Sequence, residues 1–410
     1  MSGLLRWAER AQEGGLYVLL LLLPFSKASS EILFGVLLIG WLIERLHPAT
    51  RRASLWWRPS FRPLALAILV YLAICALSIA VSDYPWKSVQ GFIGKWLEYV
   101  LFGVIVADIG ARPGVIRRSL LVVACSSLAV VVEALFQELR GTGLFCGYSL
   151  KMYGRMTGPY ENPSDLATYL MTVTPVLLAY GLGRARSIRW LFAALMVLLI
   201  GCLGRTESVG AWLGFAAALV VLIVSQPSMR RLGLMIFAAL VLVSVFWLAF
   251  TGHLGGKLSA TNIGKVDRWM MWQAALGMIR DRPLLGHGLN TFMANYLHYW
   301  VGGEQLPRYA HNCYLQVAAE TGLLGLTAFA ALLWRWFARL ATGLSALDAL
   351  TRPLLLGLLA GLVAFALQAA FDTNFYSMRQ ATLFWVLAGL ALGLCRQGEG
   401  GQPQPGRAAA

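Results

Sequence analysis

The sequence predicts an all-α protein that crosses a membrane many times, and three observations predict it. Hydrophobic residues make up 58% of the 410 and charged residues only 13%, about half the charge of an ordinary soluble domain. Apolar runs of helical length follow one another along nearly the whole chain. The lysines and arginines between them alternate sharply from loop to loop. In a bilayer every backbone polar group must be paired within the protein, so long apolar runs of this kind are read as helices. Fifteen tryptophans suit the two membrane interfaces.

About twelve spans are expected: 14–25, 30–45, 63–82, 88–107, 115–136, 164–182, 188–203, 208–225, 230–251, 313–338, 353–371 and 380–395. The first follows MSGLLRWAERAQEGG. That stretch carries Glu9 and Glu13 beside Arg6 and Arg10, which argues for a first membrane helix rather than a cleaved leader. Arg6, Arg10, Arg51, Arg52, Arg58, Arg62, Arg112, Arg117, Arg118, Arg184, Arg186, Arg189, Arg230, Arg231, Arg335, Arg339 and Arg352 all fall on one side if both termini are inside. The opposite short loops hold only Lys27, Lys87, Arg205 and Arg379. Cationic loops stay in the cytoplasm, so this asymmetry orients the chain.

The chain then divides into spans 1–9 over 1–251 with an outer segment at 137–163, a large outer loop at 252–312, spans 10–12 over 313–395, and a disordered inner tail at 396–410. The sequence shows no tandem repeat. Cysteines are scattered without metal or disulfide spacing, and no nucleotide loop or acyl-transfer elbow occurs, so no cofactor, metal or nucleic-acid partner is expected.

The outer loop is basic, which points to an anionic ligand such as a phosphate or diphosphate, because guanidinium binds phosphate oxygens bidentately. The alternative is a charge excess that long loops tolerate. Val266 to Arg280 reads as a helix stopped at Pro283, with Gly286 and Gly288 making a tight turn. Trp269, Trp272, Leu276 and Ile279 share a face suited to the headgroup layer. Arg268 falls in its first turn, where an anion shared with free helix N–H groups would be favoured. Arg205 sits in a short outer loop, and Arg155 precedes Gly158-Pro159 and Asn162-Pro163, with Ser164 as the expected cap of span 6. For both arginines snorkelling or a structural role is the competing reading.

His311 stands at the outer boundary, just before span 10, with Asn312 as the expected N-cap. A neutral imidazole there can serve as a general base; a structural histidine is the alternative. Gln316 and Glu320 follow at i, i+4. Glu320 is expected to brace the outer motif from inside the membrane, where an unbonded carboxylate is costly. Gly322 and Gly325 allow close helix approach. Asp372 and Arg379, flanking the last outer loop, are expected to meet the headgroup layer.

At these residues the chain resembles the O-antigen ligase family of polytopic bacterial glycosyltransferases, over roughly its second half. Arg-x-x-x-Trp with Pro-Leu-Leu-Gly-x-Gly spans Arg268, Trp272 and Pro283 to Gly288. His-Asn-x-Tyr-Leu-Gln with Glu-x-Gly-x-x-Gly spans His311 to Gly325. Arg155, Gly158, Asn162 and Pro163 resemble a third motif. Many relatives carry Ser-Arg-Gly where this chain has Ser208-Val209-Gly210, and Arg205, one helical turn earlier, is expected to replace that arginine.

The resemblance implies a fold of the GT-C kind in the inner membrane with a periplasmic site. It implies a metal-independent, inverting transfer of O-polysaccharide from undecaprenyl diphosphate to lipid A–core. His311 would be the base, and Arg205, Arg268 and Arg155 would hold the diphosphate. Asn312, Tyr314, Gln316, Glu320, Trp272 and Asp372 would support them. An O-antigen polymerase and a protein O-oligosaccharyltransferase share this chemistry. A lipid-linked glycan flippase or a shape or division glycan synthase would be a different class.

Overall fold

The computed structural model describes residues 3–48, 50, 54, 56, 58–150, 154–225, 235, 263–302 and 309–401. The expected span at 230–251, the first part of the large loop, and the tail beyond 401 lie outside these residues. Among the described residues the fold is all helical, with a single isolated bridge between Thr142 and Ser149. The helices are α1 (Gly3–Leu22), α2 (Lys27–Leu46), α3 (Arg62–Ala80), α4 (Pro85–Gly91), α5 (Glu98–Gly110), α6 (Val115–Arg140), α7 (Pro163–Leu182), α8 (Arg186–Arg205), α9 (Val209–Ser225), α10 (Ile263–Asp281), α11 (Phe292–Asn295), α12 (Cys313–Gly343), α13 (Arg352–Gln368) and α14 (Met378–Gly401).

Six of these are long and apolar enough to cross a membrane: 59–80, 115–140, 163–182, 186–205, 313–346 and 378–399. The chain is therefore membrane-integral, but fewer helices qualify than the twelve spans expected. The reasons are local. The first half of α1 carries Arg6, Glu9, Arg10 and Glu13, and α2 carries Lys27, Glu31, Glu44 and Arg45. Helices α9 and α13 are apolar but only 17 residues long. The fourth expected span is three pieces, α4, a π-helical turn at Phe92–Leu97, and α5.

Helix α14 forms the centre. It packs on α5, and α13 packs on α7 and α9. Small residues set the distance: a Cβ on Gly389 would lie 2.7 Å from the carbonyl of Gly103, and one on Gly361 2.3 Å from that of Thr172. Helices approach this closely only where the facing residue has no side chain.

The connections sort into two ends. At one end Arg112 meets Glu44 at 2.6 Å and Gln12 at 2.7 Å, Asp108 takes bonds from Trp41 and Ser54, and Arg339 pairs with Glu399. At the other end the loops after α1, α3, α6, α8, α10 and α13 meet. There Arg379 is buried and donates to the carbonyls of Pro24 (2.7 Å) and Pro159 (2.9 Å), its guanidinium over Tyr160. This corrects the expectation that Arg379 faces headgroups: two loops leave carbonyls converging on one interior point, and the guanidinium bonds both.

Candidate active site

The second end is built around a break in α12. The helix begins at Cys313, and Asn312, extended at φ −158°, accepts bonds from the N–H groups of Tyr314 and Leu315, both at 3.0 Å. Asn312 is thus the cap the sequence implied. At Gly322 the backbone leaves helical geometry (φ 69°, ψ −176°) and helix resumes beyond it. The turn after α10 fills the gap. Leu323 N–H donates to Pro283 at 2.7 Å, His287 N–H to Ala319 at 3.0 Å and Gly288 N–H to Glu320 at 2.9 Å. A side chain at Gly322 would stand 2.0 Å from the Leu284 carbonyl, and one at Gly286 2.6 Å from that of Glu320. The Pro-Leu-Leu-Gly-x-Gly and Glu-x-Gly motifs therefore meet, each supplying the backbone partners the other lacks.

Glu320 sits in this break, fully buried. Its carboxylate accepts from Asn290 N–H (2.7 Å), Phe292 N–H (3.2 Å), Gln316 Nε2 (3.2 Å) and the Tyr376 hydroxyl (3.1 Å). It braces the motif, as expected. Gln316 turns its other end back to Ala310 N–H at 3.2 Å, so Glu320 holds the residue before His311 through a single side chain. Tyr314 donates to the Ala366 carbonyl at 2.6 Å and ties α12 to α13.

His311 takes a positive φ of 48°, rare for a residue with a side chain and frequent at functional positions. Its Nδ1 lies 3.2 Å from Asp372 Oδ1, with the two side chains 24% and 13% exposed. Asp372 thus does not face the headgroup layer. The Cys313 N–H to Ala369 bond (2.8 Å) and the Cys313 thiol to the Asp372 carbonyl (3.2 Å) fasten the 369–377 loop to the start of α12. Burial opposes ionisation of Asp372. The hydrogen bond and charge of His311, the Thr373 N–H at 2.8 Å and the field of Arg268 outweigh it, and the carboxyl lies below its ordinary range. An ionised carboxylate only accepts, so Nδ1 donates to it. In the neutral ring Nε2 then carries the lone pair.

Two arginines share the electrostatic neighbourhood of this pair. Arg155 is half-buried; burial lowers its affinity for a proton, and Arg268 acts in the same direction while Glu207 and Asp372 oppose it. Its Nε donates to the Thr206 carbonyl at 2.9 Å, and Met156 N–H to that of Arg205 at 3.1 Å. Arg268 is the sixth residue of α10, not in its first turn. The helix starts earlier than the hydrophobic pattern indicated, so Arg268 lies beyond the four free N–H groups. Arg205 pairs with Glu138 at 2.5 Å and reaches the Gly154 carbonyl at 3.5 Å.

Helix α10 buries Met271, Ala274, Ala275 and Met278 against Phe292, Tyr296, Ala310 and Ala319, and turns Trp269 and Leu276 outward. Trp272 is half-buried edge-on to Trp269, its indole N–H meeting no acceptor among the described residues. The entry to α7 is capped by Asn162, whose side chain accepts from Ser164 N–H at 2.9 Å, rather than by Ser164. Pro163 occupies the first helical position, where its missing N–H costs nothing.

A polysaccharide ligase, provisionally so named, of Rickettsia felis is 26% identical over 159 residues, which is 35% of this chain and 38% of that protein. Its namesake in Rickettsia bellii is 25% identical over the same shares. The match thus spans well under half the length of these relatives. A chain from a structure titled for a peptidoglycan synthase complex superposes with TM-score 0.47 at 16% identity, over 83% of this chain and 98% of that one. Residues 194–330, from α8 through the break in α12, match the model of the O-antigen ligase family.

Proposed function

We propose that the chain transfers a glycan from a lipid-linked diphosphate to a sugar hydroxyl, as an O-antigen ligase. The donor would be undecaprenyl-diphosphate O-polysaccharide, the acceptor lipid A–core, and the site periplasmic. The His311–Asp372 pair beside Arg155 and Arg268 is the observation that carries this reading. Asp372 fixes the ring so that Nε2 accepts the proton of the acceptor hydroxyl. That oxygen bonds to the anomeric carbon as the carbon–oxygen bond to the diphosphate breaks, and the anomeric centre inverts. The electron pair leaves with the lipid diphosphate, whose charge Arg155 and Arg268 stabilise. Arg205 acts one step back, by bonding the 154–156 segment that carries Arg155. Membrane anchoring of both substrates raises their encounter.

The test is reconstitution of the purified protein with lipid-linked O-polysaccharide and lipid A–core, with EDTA and without it. Wild type is expected to make ladder-bearing lipopolysaccharide in both. His311→Ala should lose about 10²–10⁴-fold in rate. Asp372→Asn should lose roughly 10²-fold or more, because an amide no longer selects the working tautomer. A longer free polymer or a glycosylated protein in place of lipopolysaccharide would move the acceptor assignment. Full activity of His311→Ala would remove the base.

A further inference from the structure

A further charged side chain, Lys95, reaches the loops that build the site. Lys95 belongs to the π-helical turn Phe92–Leu97, between α4 and α5. Such a turn inserts an extra residue into a helix, re-aims the side chains around it, and is found mostly where function requires it. Here it turns Lys95 towards the loops. Its Nζ donates to Asn290 Oδ1 at 2.8 Å and to the Tyr309 hydroxyl at 3.5 Å. It also stands 5.7 Å from the centre of the Tyr309 ring and 5.9 Å from that of Tyr376.

Each contact belongs to a segment that sets the candidate site. Asn290 has a positive φ of 59° and gives its backbone N–H to Glu320. Tyr309 is two residues before His311. Tyr376 is four after Asp372 and donates to the same Glu320 carboxylate. Lys95 also acts electrostatically on Glu320. The helix carrying it lies close enough that a Cβ on Gly91 would stand 2.3 Å from that of Asn290. One ammonium thus joins the α10 turn, the segment entering α12 and the loop after α13. An ammonium has three donors; half-buried here, it engages the amide, the hydroxyl and two attractive ring faces.

We propose that Lys95 is a positioning residue: it fixes the 288–292 turn and the 309–311 segment relative to one another, and so sets where the His311 ring stands. It does not touch substrate. The kinetic part of this inference rests on the transferase reading, and the structural part does not.

The experiment is hydrogen exchange of the full-length protein in lipid nanodiscs, wild type against Lys95→Met, read with transfer kinetics. Amides in 288–292 and 309–316 should exchange about 10-fold faster or more in Lys95→Met, while those of α7 remain as in wild type. Turnover should fall about 10-fold or more with KM for the lipid-linked donor within about 2-fold, the signature of lost positioning rather than lost binding. Asn290→Gly removes the amide from the other side and allows the same backbone. If Lys95→Met is poorly folded, that variant should show the same local pattern, and Asn290→Asp, which keeps the acceptor, should exchange like wild type. Unchanged exchange in both segments overturns the proposal. So does a raised KM with turnover intact, because Lys95 would then bind substrate. If wild type transfers nothing, the functional reading falls while the exchange result still decides the role of Lys95.

Discussion

Two carboxylates a short distance apart in this site are held in opposite ways. Glu320 is sealed, and backbone, amide and phenol donors occupy both of its oxygens. Asp372 is bonded to a histidine that is itself a quarter exposed and strained at φ 48°. The first arrangement has nothing left to offer a ligand and holds three segments in register. In the second, Nε2 of His311 has no partner among the described residues. The contrast separates a scaffold from a reactive edge: satisfied buried polar networks rigidify, and strain with an open valence is retained where chemistry needs it. The arginines differ too: Arg205 is paired with Glu138, while Arg155 bonds the Thr206 carbonyl in the field of Glu207, Arg268 and Asp372.

The largest effect should come from breaking the scaffold half. Gly322→Ala puts a Cβ 2.0 Å from a carbonyl oxygen at a residue with φ 69°. The oxygen belongs to the turn that supplies α12 with its missing backbone partners, so it cannot move away without undoing them. The expected loss is about 3 kcal/mol or more, in the class of strain at a special backbone position. Monodisperse elution and thermal midpoint in detergent measure it. A variant with the wild-type midpoint would mean that α12 can run straight through, and the comparison would collapse.

A smaller effect sharpens the reactive half. Arg155→Ala should cut transfer about 10²-fold, the scale of removing one charged donor from a developing leaving group. Arg205→Ala, which removes a half-exposed pair and a long bond to the Gly154 carbonyl, should cost about 3-fold, in keeping with the modest worth of exposed ion pairs. The reading inverts if Arg205→Ala is the more damaging, and the original expectation that Arg205 replaces the family's arginine then returns.

Much of the fold was legible because it is periodic and local. Nine of the expected spans each match one described helix, while the first helix begins well before the expected span and the fourth span is broken into pieces; Asn312 was identifiable as a cap from its own side chain and the apolar run behind it. What was not legible depends on closure across the chain. Asp372 is 61 positions from His311, and Lys95 is 195 from Asn290; no local pattern encodes either pairing. The π-turn is invisible because its residues read as an ordinary apolar helix. The start of α10 was set too late because Ile263-Gly-Lys lacks the apolar spacing that signals helix, which moved Arg268 into the wrong turn. Ser164 is a good cap by residue type, but so is Asn162, and the proline between them decides in favour of the residue before it. The chemistry-bearing residue types were visible; which of them touch was not.

The smallest expected effect concerns acid, and it tests the sealed half without breaking it. His287 lies in the turn that fills the α12 break and is 2% exposed. Its Nε2 is 3.2 Å from the Met278 carbonyl and 3.4 Å from the Tyr299 hydroxyl, which also bonds Asp281. A carbonyl only accepts, so Nε2 carries the proton, and Nδ1 is buried with no partner among the described residues. Protonating Nδ1 would place a new donor where nothing accepts it. Burial accordingly lowers the affinity of His287 for a proton, Arg282 adds to that, and the Met278 carbonyl, Asp281 and Asp83 oppose it. The sign follows from linkage. The unfolded chain, with an ordinary imidazole near pH 6.5, takes the proton before the folded chain does. The stability contributed by His287 is therefore complete above that pH and is lost as pH falls through the lower folded value. Thermal midpoints at successive pH values from neutral to mildly acidic should fall more steeply for wild type than for His287→Gln, whose amide can still donate to Met278 and has nothing to titrate. Parallel curves would show that the sealed half tolerates the charge, and that its difference from the His311 edge is one of shape alone.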